Sequence, residues 1–121
     1  MNNQVLIIDD NLNIASGLAS LLGNAGFTTQ FAVTYAEAEI LVGGFSSPHW
    51  KVILFDGILD KHQLSLSLIR LARTRLPDSL LIAMSDDQQI RELQVNNGCD
   101  WSLDKNDING IIRVVKEQIP A

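Results

Sequence analysis

The chain is expected to be an α/β protein, a (βα)5 doubly wound domain with a five-stranded parallel sheet between two layers of helix. Three observations carry that expectation. Short β-branched apolar runs alternate with longer segments of helical periodicity. The runs Gln4–Ile8, Val52–Phe55 and Leu80–Met84 are apolar at nearly every position, as strands covered on both faces must be. The length of 121 residues, 46% of them hydrophobic and 19% charged, suits one compact domain over 1–121 and excludes disorder.

The strands are read as Gln4–Ile8, Thr28–Ala32, Val52–Phe55, Leu80–Met84 and Trp101–Leu103, the last short and interrupted by Ser102. After the first strand, Ile14, Leu18, Leu21, Leu22 and Ala25 share one helical face, with a stop at Gly26. Thr34 and Glu37 form a capping box ahead of Ala38, Leu41 and Val42. Leu64, Leu68, Leu71 and Ala72 mark a third helix closed by Pro77. In the fourth, Asp86 or Asp87 caps a stripe of Ile90, Leu93 and Asn97 that stops at Gly98. The fifth carries Ile108, Ile111, Ile112, Val115 and Ile119, capped by Asn106 or Asp107 and ended by Pro120. Right-handed crossovers then place helices on both faces of the sheet.

Composition excludes several functions. A net charge of -5 with no cluster of Lys and Arg argues against binding nucleic-acid phosphates. The apolar runs are too short to cross a bilayer. The first run ends at Asp9-Asp10, with neither a basic stretch before it nor a small-residue cleavage site, so no secretory signal is expected. A lone cysteine, Cys99, forms no intrachain disulfide, and no zinc-type spacing occurs; the expected compartment is the cytoplasm. Cys99 is expected to be a small buried hydrophobe, His49 and His62 exposed loop residues, and Trp50 and Trp101 packing residues.

The polar residues that follow the strands carry the functional signal. Asp9 and Asp10 follow the first strand, Asp56 the third, Ser85 the fourth, and Lys105 stands two residues after Leu103. In an open parallel sheet these strand ends line one crevice, the usual ligand site of doubly wound folds. Two unit charges ~4 Å apart repel by about 4 kcal/mol at an effective dielectric near 20, so converging carboxylates hold either a proton or a cation. All-oxygen ligands without imidazole or thiolate favour a hard ion, Mg²⁺ or Mn²⁺. Such an ion is commonly completed by a phosphate, which makes the crevice a phosphoryl site. Asp56, alone at its strand end, is the candidate nucleophile for an acyl phosphate, and Asp9 and Asp10 the candidate metal pair. Lys105 and the Ser85 hydroxyl are placed to neutralise and hydrogen-bond the phosphoryl oxygens. Taken singly these residues have plainer readings: Asp9-Asp10 and Ser85 as helix caps, Lys105 as a solvated surface lysine.

These pieces, in order, resemble the receiver domain of a two-component response regulator, of the chemotaxis-regulator type. The resemblance covers essentially the whole chain. It rests on Val5-Leu6-Ile7-Ile8-Asp9-Asp10-Asn11, Val52-Ile53-Leu54-Phe55-Asp56, Leu81-Ile82-Ala83-Met84-Ser85 and Ser102-Leu103-Asp104-Lys105, with Gly98-Cys99-Asp100 opening the fifth strand. It implies a flavodoxin-like sheet of order 2-1-3-4-5. It further implies that Asp56 accepts a phosphoryl group from the phosphohistidine of a sensor histidine kinase or phosphotransfer protein. Mg²⁺ would be held by Asp10, Asp56 and the Ile58 carbonyl, alongside Asp9, with Ser85 and Lys105 taking up the phosphate. Phosphorylation would remodel the surface of the fourth helix, fifth strand and fifth helix, which could also serve a homodimer or an output partner. The domain would be a signalling switch that catalyses only its own phosphorylation and dephosphorylation, not an enzyme in the usual sense.

The chain departs from the family pattern at several places. Ser102 stands where an aromatic residue is usual, three positions before the lysine, and Trp101 beside it is expected on the opposite face. Asn106 replaces the usual proline, Asp86 follows the hydroxyl where a small residue is preferred, and no glycine follows Ile58 in its loop. Coupling is therefore expected to run through the loop after Ser85, and Ile58 to slow hydrolysis of an acyl phosphate. Two other functions remain open from sequence. One is a degenerate receiver that binds protein partners without phosphorylation. The other is a flavodoxin-like FMN protein, against which Asp9-Asp10-Asn11 would repel the phosphate.

Overall fold

A computed structural model of the chain describes residues 3–44 and 49–118. Five parallel strands form one sheet: β1 Gln4–Ile8, β2 Thr28–Ala32, β3 Val52–Asp56, β4 Leu80–Ser85 and β5 Trp101–Asp104, in the order β2-β1-β3-β4-β5. The helices between them are α1 Leu12–Asn24, α2 Tyr35–Gly43, α3 Leu66–Arg75, α4 Gln88–Asn96 and α5 Ile108–Gln118. This is the doubly wound, flavodoxin-like architecture expected of the sequence.

Strand alternation divides the core in two. Leu6, Ile8, Ile53, Phe55, Leu81 and Ala83 face α2 and α3, where Ala38, Val42, Leu68, Ile69 and Ala72 cover them. Val5, Ile7, Val52, Leu54, Ile82 and Met84 face α1 and α5, against Ala15, Leu18, Leu22, Ile111 and Val115. Strands β1, β3 and β4 are thus buried on both sides, which is why they read as unbroken apolar runs.

Three helical details and one strand residue differ from the sequence reading. In α1 the buried face is Ala15, Leu18, Ala19 and Leu22, while Leu21 is 45% exposed and Ala25 lies in the exposed C-cap. Leu64 is not in α3. It pairs with Ile58 in a two-stranded ribbon, Ile58–Leu59 against Gln63–Leu64, and α3 starts only after Ser65. In α4 the inward position is Gln94 and not Leu93, because the helix begins after Asp87 and turns that residue to the sheet. Trp101 is exposed: it lies on the edge strand, on the face of half-buried Leu103, where no further strand covers it. Ile119 and Pro120 fall outside the described residues.

Other expectations match. Trp50 is buried, its Nε1 donating to the Leu41 carbonyl at 2.9 Å. Cys99 is buried, and burial, reinforced by Asp100, pushes its thiol up to about 12. His49 and His62 are exposed. Asn11 caps α1, accepting from the Asn13 and Ile14 amides, which leaves Asp9 and Asp10 free of that task. Thr34 caps α2 by accepting from the Glu37 amide at 3.1 Å, and Asp107 accepts from the Gly110 amide at 3.0 Å at the start of α5. Among the described residues no helix is long and apolar enough to cross a membrane.

Candidate functional site

Parallel register brings the polar strand ends together. Ile8 lies beside Phe55, Asp56 beside Met84, and Ser85 beside Asp104. Asp9, Asp10, Asp56, Ser85 and Lys105 therefore surround one lip of the sheet. With Ile58, Lys61, Asp86, Asp87 and Ile90, four of them line an open cleft of about 440 Å³; Asp9 lies buried beneath.

Carboxylate oxygens of Asp9, Asp10 and Asp56 lie within 4.8 Å of one another. Asp9 is fully buried, and its Oδ1 accepts from the Asn11 amide at 2.9 Å. Asp10 is half-buried, its Oδ2 accepting from the Lys61 amide at 3.4 Å. Asp56 is buried, and its Oδ1 accepts from the Gly57 amide at 2.8 Å. The Lys105 ammonium bridges two strands, 3.2 Å from Asp9 Oδ2 and 3.3 Å from Asp56 Oδ1.

The electrostatics follow from this crowding. Burial, and then the Asp9 charge, push the Asp56 carboxyl up to about 7, against the pull of Lys105 and the Gly57 amide. Burial alone would lower the Lys105 ammonium, but Asp56 and Asp9 outweigh it and hold that group above its ordinary value. Lys105 thus pairs with two of the three clustered acids, Asp9 and Asp56.

Ser85 is buried at the end of β4, and its Oγ accepts from the Asp87 amide at 3.1 Å. Asp87 in turn caps α4, accepting from the Gln89 and Ile90 amides, whereas Asp86 is exposed. Arg91 donates to the Ser85 carbonyl, which also receives the Lys105 amide at 3.4 Å. The loop after β4 is therefore closed on itself, with the hydroxyl facing its own backbone.

Two features escaped the sequence reading. Gly57 is required by space: a Cβ there would lie 2.4 Å from Ile90 Cγ2 and 3.1 Å from Ser85 Oγ. A glycine directly after a strand-end carboxylate was the available signal. The second is the turn of the ribbon, where Asp60 and Lys61 both take positive φ, 52° and 72°. Asp60 accepts from the Tyr35 amide at the start of α2, while the Lys61 amide bonds Asp10, so the turn is tied to the lip on both sides. Asp is among the residues that tolerate the left-handed region, but nothing in the Lys61 residue type announces it.

The donor set suits a hard divalent cation. It is all oxygen, and Asp9 Oδ2 is buried with no hydrogen bond despite the nearby ammonium. Asp9, Asp10 and Asp56 are the group that could hold such an ion, and Ile58 lines the cleft beside them.

No family model matches the chain, and no curated protein matches it. Solved structures do. A response regulator from Burkholderia pseudomallei, described with a phosphorylated aspartic acid, calcium ion and citrate, superposes at a TM-score of 0.83 with 26% identity over 94% of this chain. This chain spans 66% of that regulator's length. The receiver domain of Francisella response regulator 1452 gives 0.81 at 24% identity, covering 97% of this chain and 96% of that one. A response regulator from Thermotoga maritima gives 0.80 at 20% identity, with both chains covered throughout. The chain thus has the fold of response-regulator receiver domains, and it carries an acidic cluster at the lip of that fold.

Proposed function

We propose that residues 1–121 form a phosphorylatable receiver domain in which Asp56 accepts a phosphoryl group from the phosphohistidine of a histidine kinase or phosphotransfer protein. The observation that carries this reading is the convergence of Asp9, Asp10 and Asp56 with Lys105 on one solvent-open lip. The similarity to the Burkholderia regulator, which carries a phosphorylated aspartic acid and a calcium ion, supports it.

The chemistry follows from the geometry. A carboxylate oxygen of Asp56 attacks phosphorus, the P–O bond forms as the P–N bond to the donor imidazole breaks, and the imidazole leaves with a proton. Asp56 must be ionised to attack; burial and the Asp9 charge oppose that form, and the Lys105 ammonium favours it. Asp9, Asp10, Asp56 and the Ile58 carbonyl would hold Mg²⁺, which would neutralise charge on the phosphoryl oxygens. The Ser85 hydroxyl leaves the Asp87 amide and donates to a phosphoryl oxygen, while Lys105 pairs with another. Departure of the Ser85 hydroxyl releases the Asp87 amide while the Asp87 side chain still caps α4, and the surface of α4, β5 and α5 changes with it. The domain acts as a switch read by an output partner and catalyses no turnover beyond its own phosphorylation and dephosphorylation.

Incubation with phosphoramidate and Mg²⁺ should add the mass of one phosphoryl group to the intact chain. Omission of Mg²⁺ or the substitution Asp56→Asn should abolish the gain. An unchanged mass in the native chain with Mg²⁺ present would refute the reading and leave a module that binds partners without phosphorylation.

A further inference from the structure

The inner face of α4 carries an amide where packing alone asks for an apolar side chain. Gln94 is the buried residue of that helix, while its neighbours Leu93 and Val95 are 42% and 41% exposed. Gln94 Nε2 donates to the Phe55 carbonyl at 3.0 Å and to Ser65 Oγ at 3.3 Å. Phe55 immediately precedes Asp56. Ser65 closes the segment that leaves it, with its amide on the Gly57 carbonyl at 3.0 Å. One side chain of α4 therefore holds the chain on both sides of Asp56.

The same amide is only half satisfied. Gln94 Oε1 is buried and has no hydrogen-bond partner among the described residues. A buried carbonyl left without a donor is unfavourable, and methionine or leucine would fill the position without that penalty. Packing does not account for glutamine here; the bonds to Phe55 and Ser65 do.

We propose that Gln94 is the positioning residue through which α4 senses Asp56. Its two bonds hold α4 against the end of β3 while Asp56 is unmodified, and they let go when a phosphoryl group shifts the Phe55–Gly57 backbone. The inference rests on the reading of Asp56 as phosphoacceptor and adds the route by which α4 responds. The orphaned Oε1 weakens the held arrangement relative to a fully bonded amide. The first turn of α4 stays anchored through the Asp87 cap and the Arg91 bond to the Ser85 carbonyl, so release at Gln94 frees the later turns.

Amide hydrogen exchange of the full chain, with and without beryllofluoride and Mg²⁺, tests this in the native protein, Gln94→Met and Ser65→Ala. In the native protein, beryllofluoride should speed exchange over residues 93–97. In Gln94→Met those amides should exchange about fivefold faster without beryllofluoride, the factor worth one net hydrogen bond, and change little on adding it. Exchange in α5 should be unaltered. Ser65→Ala removes one of the two bonds from a hydroxyl that caps nothing. It should lie between the two, and it serves if Gln94→Met fails to fold. An undiminished response from the native baseline in both variants would overturn the proposal. So would beryllofluoride binding at Asp56 with no change in α4 of the native protein, which would leave the phosphoacceptor reading standing. No binding to the native chain would overturn both.

Discussion

At Asp56, burial and the Asp9 carboxylate push the acid up to about 7, while Lys105 and the Gly57 amide pull it down. In the unfolded chain the same group titrates near ~3.9. The folded chain therefore holds the proton more tightly between those values. The stabilising contribution is fully present below the unfolded value and is lost as pH rises through about 7. Urea midpoints measured in chelator should fall from pH 5 to pH 8 in the native chain, and this part of the fall should disappear in Asp56→Asn. Parallel profiles for the two chains would show that Asp56 is not the group responsible. The meeting of Asp56, Ser85 and Lys105 at one cleft was legible because each follows a strand end, plainly for the first two and less so for Lys105 after the short Trp101–Leu103 run. Gly57 was not, since its necessity comes from Ile90 and Ser85, which approach it from α4 and β4.

At the scale of elements, the limits of periodicity are clearest in α1 and α4. Leu21 and Leu22 are equally apolar, and an amphipathic stripe drawn through both is natural from sequence. Only Leu22 meets the sheet. Leu22→Ala should cost about 2–5 kcal/mol in chemical denaturation, and Leu21→Ala less than about 0.5 kcal/mol beyond its small change in helix propensity. Equal losses would place the buried face of α1 elsewhere. In α4 the mismatch goes further: Leu93 faces outward and Gln94 inward, because that helix is held to the sheet partly by polar bonds. A hydrophobic stripe cannot report such bonds. Caps were easier to read, since Thr34, Asp87 and Asp107 each sit one residue before a helix and accept from its first amides.

For the whole molecule, topology accounts for the site. Parallel strands with right-handed crossovers deliver every strand's carboxyl end to the same lip, so Asp10 and Asp56, 46 positions apart in the chain, meet without any local motif. That much follows from the alternation of strands and helices. The strand order, in contrast, came with the family resemblance, and the ribbon at Ile58–Leu64 came from neither. Its turn depends on two left-handed residues, of which Lys61 is of a type that gives no sign of it. The ribbon matters to the account because it ties Asp10 to α2 and places Ile58 over the cleft.

Chemical trapping of the modified residue puts the account to its most direct test. The chain is treated with phosphoramidate and Mg²⁺, reduced with borohydride to convert an acyl phosphate to homoserine, and mapped by peptide mass spectrometry. Homoserine should appear at position 56 alone and only when Mg²⁺ was present. Homoserine at Asp9 or Asp10, or its absence from position 56, would contradict the assignment.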